Sequence, residues 1–275
     1  MAASDQEHRQ TNQFQEYLRT NQYKDSSNLQ ARIRIHQLFS TNTYPFHRWV
    51  FDHFSIPHPA RILEAGCGPG YLWTQNRDRI PENWDITLSD FSGGMLQEAQ
   101  RNLSKVQGHF SFQLFDIQSI PFEDAHFDAV IANHMLYHVP DRQKALSEIR
   151  RVLKPGGKFY AVTNGQKHMQ ELYQLLKKFN PALPDPRGDL FSLQFGLENG
   201  AEQIAPWFKT ITLHRYEDGL VVTEVGPLVD YVLSTTAGQA AIENKIAEFT
   251  QFLENELAAH GAIHITKDTG MFEAC

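Results

Sequence analysis

Cysteine is scarce. The 275-residue chain has two, Cys67 and Cys275, too few for a disulfide framework and without the paired Cys/His spacing of a metal site. Long apolar runs are missing as well, since none approaches the ~20 residues that span a bilayer. The stretch from Met1 to Glu7 lacks the basic and apolar regions of a secretory leader. These absences lead us to expect a soluble, cytoplasmic protein with no membrane partner and no metal. Positive charge is also in short supply. Lys and Arg total 25 against 32 Asp and Glu, a net charge of -7. No Lys/Arg cluster is present to track a phosphate backbone, so nucleic acid is not expected as a partner. There is no internal repeat and no low-complexity tract.

The richest stretch is Arg61-Ile62-Leu63-Glu64-Ala65-Gly66-Cys67-Gly68-Pro69-Gly70. A short apolar run ends in an acid, and glycine then recurs at every second position. The pattern predicts a buried strand, a sharp turn and a helix beginning near Tyr71. Glycine lets backbone pass close to a ligand or adopt positive φ, and the first N–H groups of the helix point back into that space. Dinucleotide sites use G-x-G-x-x-G to seat a pyrophosphate. Here the spacing is G-x-G-x-G, and the charge of Glu64 repels a pyrophosphate but suits an ammonium or sulfonium. Cys67 serves the turn as a small side chain rather than as a reactive thiol. A bare structural turn is the alternative.

Along the chain, residues 1–57 read as a flexible N-terminus followed by a helical cap. Leu29, Ile33, Ile35, Leu38 and Phe39 mark an amphipathic helix, and Tyr44, Phe46, Trp49, Phe51 and Phe54 an aromatic-dense piece. From residue 58 onward strands and helices alternate. Strands are expected at 61–65, 85–89, 110–115, 127–133 and 158–163, with helices at 71–79, 92–106 and 141–153, the last stopped by Lys154-Pro155-Gly156-Gly157. Such alternation predicts an α/β fold with a mostly parallel sheet covered on both faces. The second half reads as helices at 168–179 and 197–207, a strand at 209–216, and helices at 223–233 and 240–259. Pro181, Pro184 and Pro186 mark a loop. Two short strands, 262–266 and 271–274, are expected around a turn at Asp268-Thr269-Gly270. Helical elements at about 166–207 and 219–260 are the expected cap or lid of a domain covering 58–275.

Three further groups fall at expected strand ends. Asp90 lies about 20 residues past Gly70, where an acid accepts hydrogen bonds from vicinal ribose hydroxyls; the alternative is an acid at a helix entry capped by Ser92. Asp116, between Phe115 and Ile117, suits an adenine amino group, or is merely a turn former. Asn133 and His134 end the fourth strand, with Tyr137 and His138 close behind. They set polar and aromatic groups beside the same edge, unless the histidines are simply satisfied core residues.

Together, Glu64–Gly70, Ser89-Asp90-Phe91-Ser92 with Met95, Phe115-Asp116-Ile117, Asn133–His138 and Leu153-Lys154-Pro155-Gly156-Gly157 resemble the class I S-adenosylmethionine-dependent methyltransferases. The closest likeness is to their small-molecule, type 11 branch, over roughly residues 60–165. The resemblance implies a Rossmann-like sheet with an antiparallel last strand, and S-adenosylmethionine as cofactor. Gly66, Cys67, Gly68 and Gly70 would then make room for its methionyl part, and Glu64 would orient the ammonium, partly through water. Asp90 and Phe91 would hold the ribose region, Met95 would pack on adenine, Asp116 and the Ile117 backbone would read the adenine edge, and Asn133 would offer its carbonyl to the ammonium. The chain departs from the family pattern in having Glu rather than Asp at 64, and His134 where a small or apolar residue is frequent.

The implied reaction is in-line displacement of the methyl group onto oxygen, nitrogen or carbon of a small organic molecule. A hydroxyl acceptor needs a base; His138 and His134 are the first candidates, followed by His36 and His47. Tyr23, Trp49 and Tyr137 are candidate substrate or lid residues. Residues 133–136 read Asn-His-Met-Leu, not the Asn-Pro-Pro-Tyr type used on nucleobases and glutamine. An RNA or protein methyltransferase, or a non-catalytic cofactor-binding subunit of a partner, stays open as an alternative, as does the choice between monomer and homodimer.

Overall fold

Seven strands make one sheet in the computed structural model, which describes residues 16, 20, 24–183 and 191–275. They are β1 (Ala60–Ala65), β2 (Trp84–Asp90), β3 (His109–Leu114), β4 (Phe127–Asn133), β5 (Leu153–Asn164), β6 (Ile211–Val222) and β7 (Ile263–Ala274). Their order across the sheet is β3-β2-β1-β4-β5-β7-β6. β1 to β5 run parallel, and β7 is antiparallel to both of its neighbours. The central strands are apolar almost throughout because helices cover both faces. The helix Arg142–Val152 places Ala145, Leu146, Ile149 and Val152 against one face, with Leu63, Val130 and Phe159. The helix Gly93–Leu103 packs Leu96, Ala99 and Leu103 on the other, with Ile62, Ile86 and Leu88. Strand order reverses between β1 and β4, which opens a crevice outside their carboxyl ends.

Register builds a second feature above that crevice. β5 ends at Asn164 opposite Thr269, whereas β6 and β7 stay paired as far as Val222 and Ile263. The stretch Ile263–Asp268, with its β6 partners, therefore projects roughly 20 Å past the end of β5. Helices Ser27–Phe39, Gln170–Phe179, Val225–Leu233, Thr236–Ile242 and Ile246–His260 gather round this arm. Their core holds Ile35, Leu172, Leu228 and Phe249 with Leu220, Val222, Ile263 and Ile265 of the arm. The cap has its own apolar core, held over the carboxyl edge of the sheet.

Several boundaries differ from expectation. Asp268-Thr269-Gly270 is not a turn: β7 runs through it, paired with β6 at all three residues and with β5 from Thr269 onward. Gly270 is needed there because a Cβ would lie 2.7 Å from the His214 carbonyl oxygen, a close backbone approach inside a sheet. β6 runs on to Val222, so 219–222 is strand rather than lid. The helix expected over 240–259 is two, Thr236–Ile242 and Ile246–His260, broken beside Asn244 in the left-handed region at φ 59°, which asparagine tolerates. Only Gly200–Ile204 of 197–207 is helical. β5 already begins at Leu153, and its register on β4 shifts between Phe127 and Ala129. Pro184 and Pro186 lie outside the described residues. Among those described, no helix is long and apolar enough to cross a membrane, and no group of three or more His, Cys, Asp or Glu is placed to hold a metal ion.

Candidate cofactor and acceptor site

The glycine turn leaves β1 at its carboxyl end and enters the helix Tyr71–Gln75. Gly66 has φ 68°, and a Cβ there would lie 2.8 Å from the Met135 side chain, so no other residue fits without displacing the β4 loop. The Cys67 N–H donates to the Ser89 carbonyl at 2.9 Å, fastening the turn to β2. Burial, followed by the nearby Asp90 and Glu64 charges, raises the Cys67 thiol well above its ordinary value. It is a buried filler, not a nucleophile.

Glu64 is buried at the base of the turn. Its Oε2 accepts from Trp73 Nε1 at 2.6 Å and its Oε1 from Asn133 Nδ2 at 3.2 Å. Burial pushes its pKa up to about 8, against the opposing pull of these two donors. The other amide atom, Asn133 Oδ1, is buried with no donor among the described residues. Two neutral donors thus hold a carboxyl that burial keeps from ionising, beside an acceptor that lacks a partner. Such a pair is short of a cation bearing N–H groups.

Asp90 ends β2 and is buried. Its Oδ2 accepts from the Gly68 N–H at 2.9 Å and its Oδ1 from the Ser92 N–H at 2.8 Å. Burial raises its pKa to about 6 despite these bonds. Each oxygen keeps a lone pair for a further donor. Ser92 also caps the helix Gly93–Leu103 by accepting from the Met95 N–H at 3.3 Å, so the helix-entry role and a ligand role coexist. Met95 is buried and Phe91 half-buried beside it. Asp116 lies beyond the last residue of β3 and is exposed, while Ile117 is buried. Both Asp116 oxygens are taken by Gln118, from the backbone N–H and from Nε2, each at 2.8 Å. This is the turn-former geometry, and a ligand there has to displace the Gln118 amide.

β4 delivers the remaining residues. His134 has φ 51° and donates its N–H to the Val162 carbonyl at 3.0 Å; a short 3₁₀ turn, Leu136–His138, follows. The Tyr137 and His138 rings lie 4.6 Å apart. Burial pushes both His134 and His138 down to about 3, so both rings are neutral near pH 7 and weak as bases. Trp49 does not reach this group; it packs on Tyr216 at 5.3 Å and on His53 at 4.4 Å. Phe46, one helical turn earlier, meets His134 at 5.6 Å. Tyr23 lies outside the described residues.

The site has members that sequence reasoning passed over. Trp73 carried a usable signal, because a tryptophan just after a glycine turn needs an acceptor for its N–H when buried. Met135, which fills the space over Gly66, and Leu29, whose Cδ2 would be 4.0 Å from a Cβ at Gly68, carried none. The Lys24 carbonyl packs directly on Gly94, and the Ser26 N–H donates to Glu98 at 3.2 Å. The segment entering the helix Ser27–Phe39 is thereby laid across the cofactor side of the crevice.

Residues 63–161 match the family model described as a methyltransferase domain, type 11. The matched stretch holds the turn, Asp90, Asp116 and the end of β4. Over these residues the chain is similar to a class I methyltransferase domain. Over 135 residues it is 34% identical to a malonyl-[acyl-carrier protein] O-methyltransferase of Erwinia pyrifoliae, covering 48% of this chain and 49% of that protein. Over 134 residues it is 29% identical to the ubiquinone/menaquinone biosynthesis C-methyltransferase UbiE of Psychromonas ingrahamii, covering 48% and 52%. The chain spans about half the length of the curated relatives it matches. Phosphoethanolamine N-methyltransferase 2 of Haemonchus contortus, solved with S-adenosyl-L-methionine, shares the fold at TM-score 0.57 and 19% identity, over 95% of this chain and 59% of that one. Most of the cap lies outside the matched methyltransferase domain.

Proposed function

We propose that the protein binds S-adenosylmethionine and transfers its methyl group to a small organic molecule. The observation that carries this reading is the Glu64–Asn133 pair, a buried, raised carboxyl and a buried amide oxygen with no donor among the described residues, beside the glycine turn. A pyrophosphate finds no counter-charge there, whereas the ammonium of an amino acid moiety supplies both the charge and the donors. The cofactor, when bound, brings an activated sulfonium methyl. The chain has to bind, orient and keep dry. Glu64 and Asn133 receive the ammonium, Asp90 uses its remaining lone pairs for the ribose hydroxyls, and Met95 flanks the base. Ile117 and Asp116 face the adenine edge once Gln118 yields. Residues of the β4 end, His134, Tyr137 and His138, meet the acceptor. The cap excludes water over that edge.

Both curated relatives named above are themselves methyltransferases, and the acidic balance of this chain keeps nucleic acid out of the reading. Asp90→Ala is expected to weaken S-adenosylmethionine binding by about 1.5–3 kcal/mol, the range for a hydrogen bond to a charged group. Calorimetric titration of wild type and variant measures this, and an unchanged affinity would confine Asp90 to the helix entry. Turnover is tested with methyl-labelled cofactor and a metabolite extract, followed by mass spectrometry for products heavier by one methylene unit.

A further inference from the structure

Trp73 is wholly buried in apolar surroundings. Its ring stands edge-on to Phe51 of the helix Phe46–Asp52 at 6.4 Å and to Phe110 of β3 at 6.3 Å. Ile62, Leu72 and Ile86 belong to the same cluster. Phenylalanine would suit these neighbours as well. What phenylalanine lacks is the ring N–H, and in Trp73 that group donates to Glu64 Oε2 at 2.6 Å.

The backbone that carries this ring is fastened at both ends. The Trp73 N–H donates to the Gly70 carbonyl at 3.2 Å, so the helix Tyr71–Gln75 starts on the glycine turn itself. At the far end, buried Asn76 donates through Nδ2 to the Leu72 carbonyl at 2.8 Å and to the His47 carbonyl at 2.9 Å. Packing and a fixed backbone leave the indole N–H one direction. An indole donates and never accepts. Oε2 of Glu64 is thereby committed, and Oε1 turns to Asn133, whose Nδ2 reaches it at 3.2 Å. Oε1 is thus the oxygen beside Asn133 Oδ1, the acceptor with no donor among the described residues.

We propose that Trp73 is the positioning residue of the cofactor site, turning Glu64 so that Oε1 meets the ammonium and supporting its carboxylate with the indole N–H. The proposal rests on the methyl-transfer reading above. Burial raises the Glu64 pKa, and the Trp73 bond is the larger of the two that oppose it. Its removal raises that pKa further, so an arriving ammonium ionises Glu64 less readily. The other titratable groups bearing on this carboxyl are Asp90 from β2 and Cys67 from the turn. Asp90 is ionised well above about pH 6 and the Cys67 thiol stays neutral, so Glu64 is the group of the three that titrates near pH 8.

The test titrates the full chain calorimetrically with S-adenosylhomocysteine, as wild type, Trp73→Phe, Glu64→Gln and the double variant. A wild type that takes up no ligand fails the methyl-transfer reading and this proposal with it. One that binds leaves the proposal to be judged alone. Trp73→Phe is expected to bind about tenfold or more weakly at pH 7. In the Glu64→Gln background the same change should cost less than about threefold, since no carboxylate is left to support. At pH 8 free Glu64 is half ionised, so wild type should release about half a proton per site and Trp73→Phe more. An equal loss in both backgrounds, or unchanged proton release, would reduce Trp73 to packing and overturn the proposal. The cofactor-free wild type supplies a second measurement should Trp73→Phe fail to fold. One of its four indole N–H resonances should titrate near pH 8, and should cease to do so in Glu64→Gln. Four signals that stay unmoved from about pH 7 to 9 would equally overturn it.

Discussion

Replacing Lys267 by methionine is expected to lower the unfolding free energy by about 3–5 kcal/mol, the cost of stripping the partner from a buried charge. The Lys267 side chain is 9% exposed and that of Asp218 is fully buried. Asp218 also accepts from Ser40 Oγ at 2.7 Å, the Asn42 N–H at 3.0 Å and the Gly219 N–H at 2.8 Å. Burial by itself would raise the Asp218 pKa, but Lys267 and Ser40 outweigh it and the net shift is downward. The cluster ties the loop after the helix Ser27–Phe39 to the β6–β7 arm, so its loss loosens the cap as well as the arm. Denaturant titration of Lys267→Met should show the drop, and adding Asp218→Asn should recover much of it, since the two sites are coupled. A change within about 0.5 kcal/mol, the range of ordinary surface substitutions, would mean that the arm is not buried in this way.

The second large effect concerns Glu64 and has a definite sign. Its folded pKa of about 8 lies above the ordinary 4.5, so the folded state binds the extra proton between those values. Stability contributed by this group is fully present below the unfolded pKa and is lost as pH rises through the folded one. Glu64→Gln removes the titration. Asn133 then turns its amide so that Oδ1 accepts from the new side-chain amide. Relative to wild type, the cofactor-free variant should gain stability progressively from about pH 4.5 to pH 8 and level off above, by a few kcal/mol in all. Asp90, raised to about 6, titrates in both proteins, so the difference between them isolates Glu64. Urea unfolding across pH measures it. A difference that stays flat with pH would place Glu64 in contact with water.

How much of this was legible in the sequence depends on what fixes each element. β1, β4 and β5 were readable because strands covered on both faces must be apolar, and because Gly66, Gly68 and Gly70 mark where β1 stops. The cap is less legible. Its helices are set by burial against Leu220, Val222, Ile263 and Ile265 of the arm, contacts between residues far apart in the chain that no local periodicity reports. Gly270 reads as a turn in the sequence because glycine has the same letter whether it supplies positive φ or close approach. At Asp90 both readings of the acid hold at once. At Asp116 the Gln118 amide occupies the carboxylate, two residues on, where spacing alone could not weigh it. Trp49 and Phe46 are one turn apart on one helix, and only packing shows that Phe46 is the one facing His134.

Cofactor binding at the Glu64–Asn133 pair is tested most directly by calorimetric titration with S-adenosylhomocysteine at pH 7 in two buffers of different ionisation enthalpy. Glu64 is mostly protonated there in the free protein, and an ammonium placed beside it should ionise it. Binding should therefore release close to about one proton per site, less as pH rises past 8, and none in Glu64→Gln. Asp90, with its lower pKa, is already ionised at that pH and adds little. The predicted result is a heat of binding that differs between the two buffers by the release of that proton. No binding, or binding whose heat is the same in both buffers, would contradict the placement of the ammonium against Glu64.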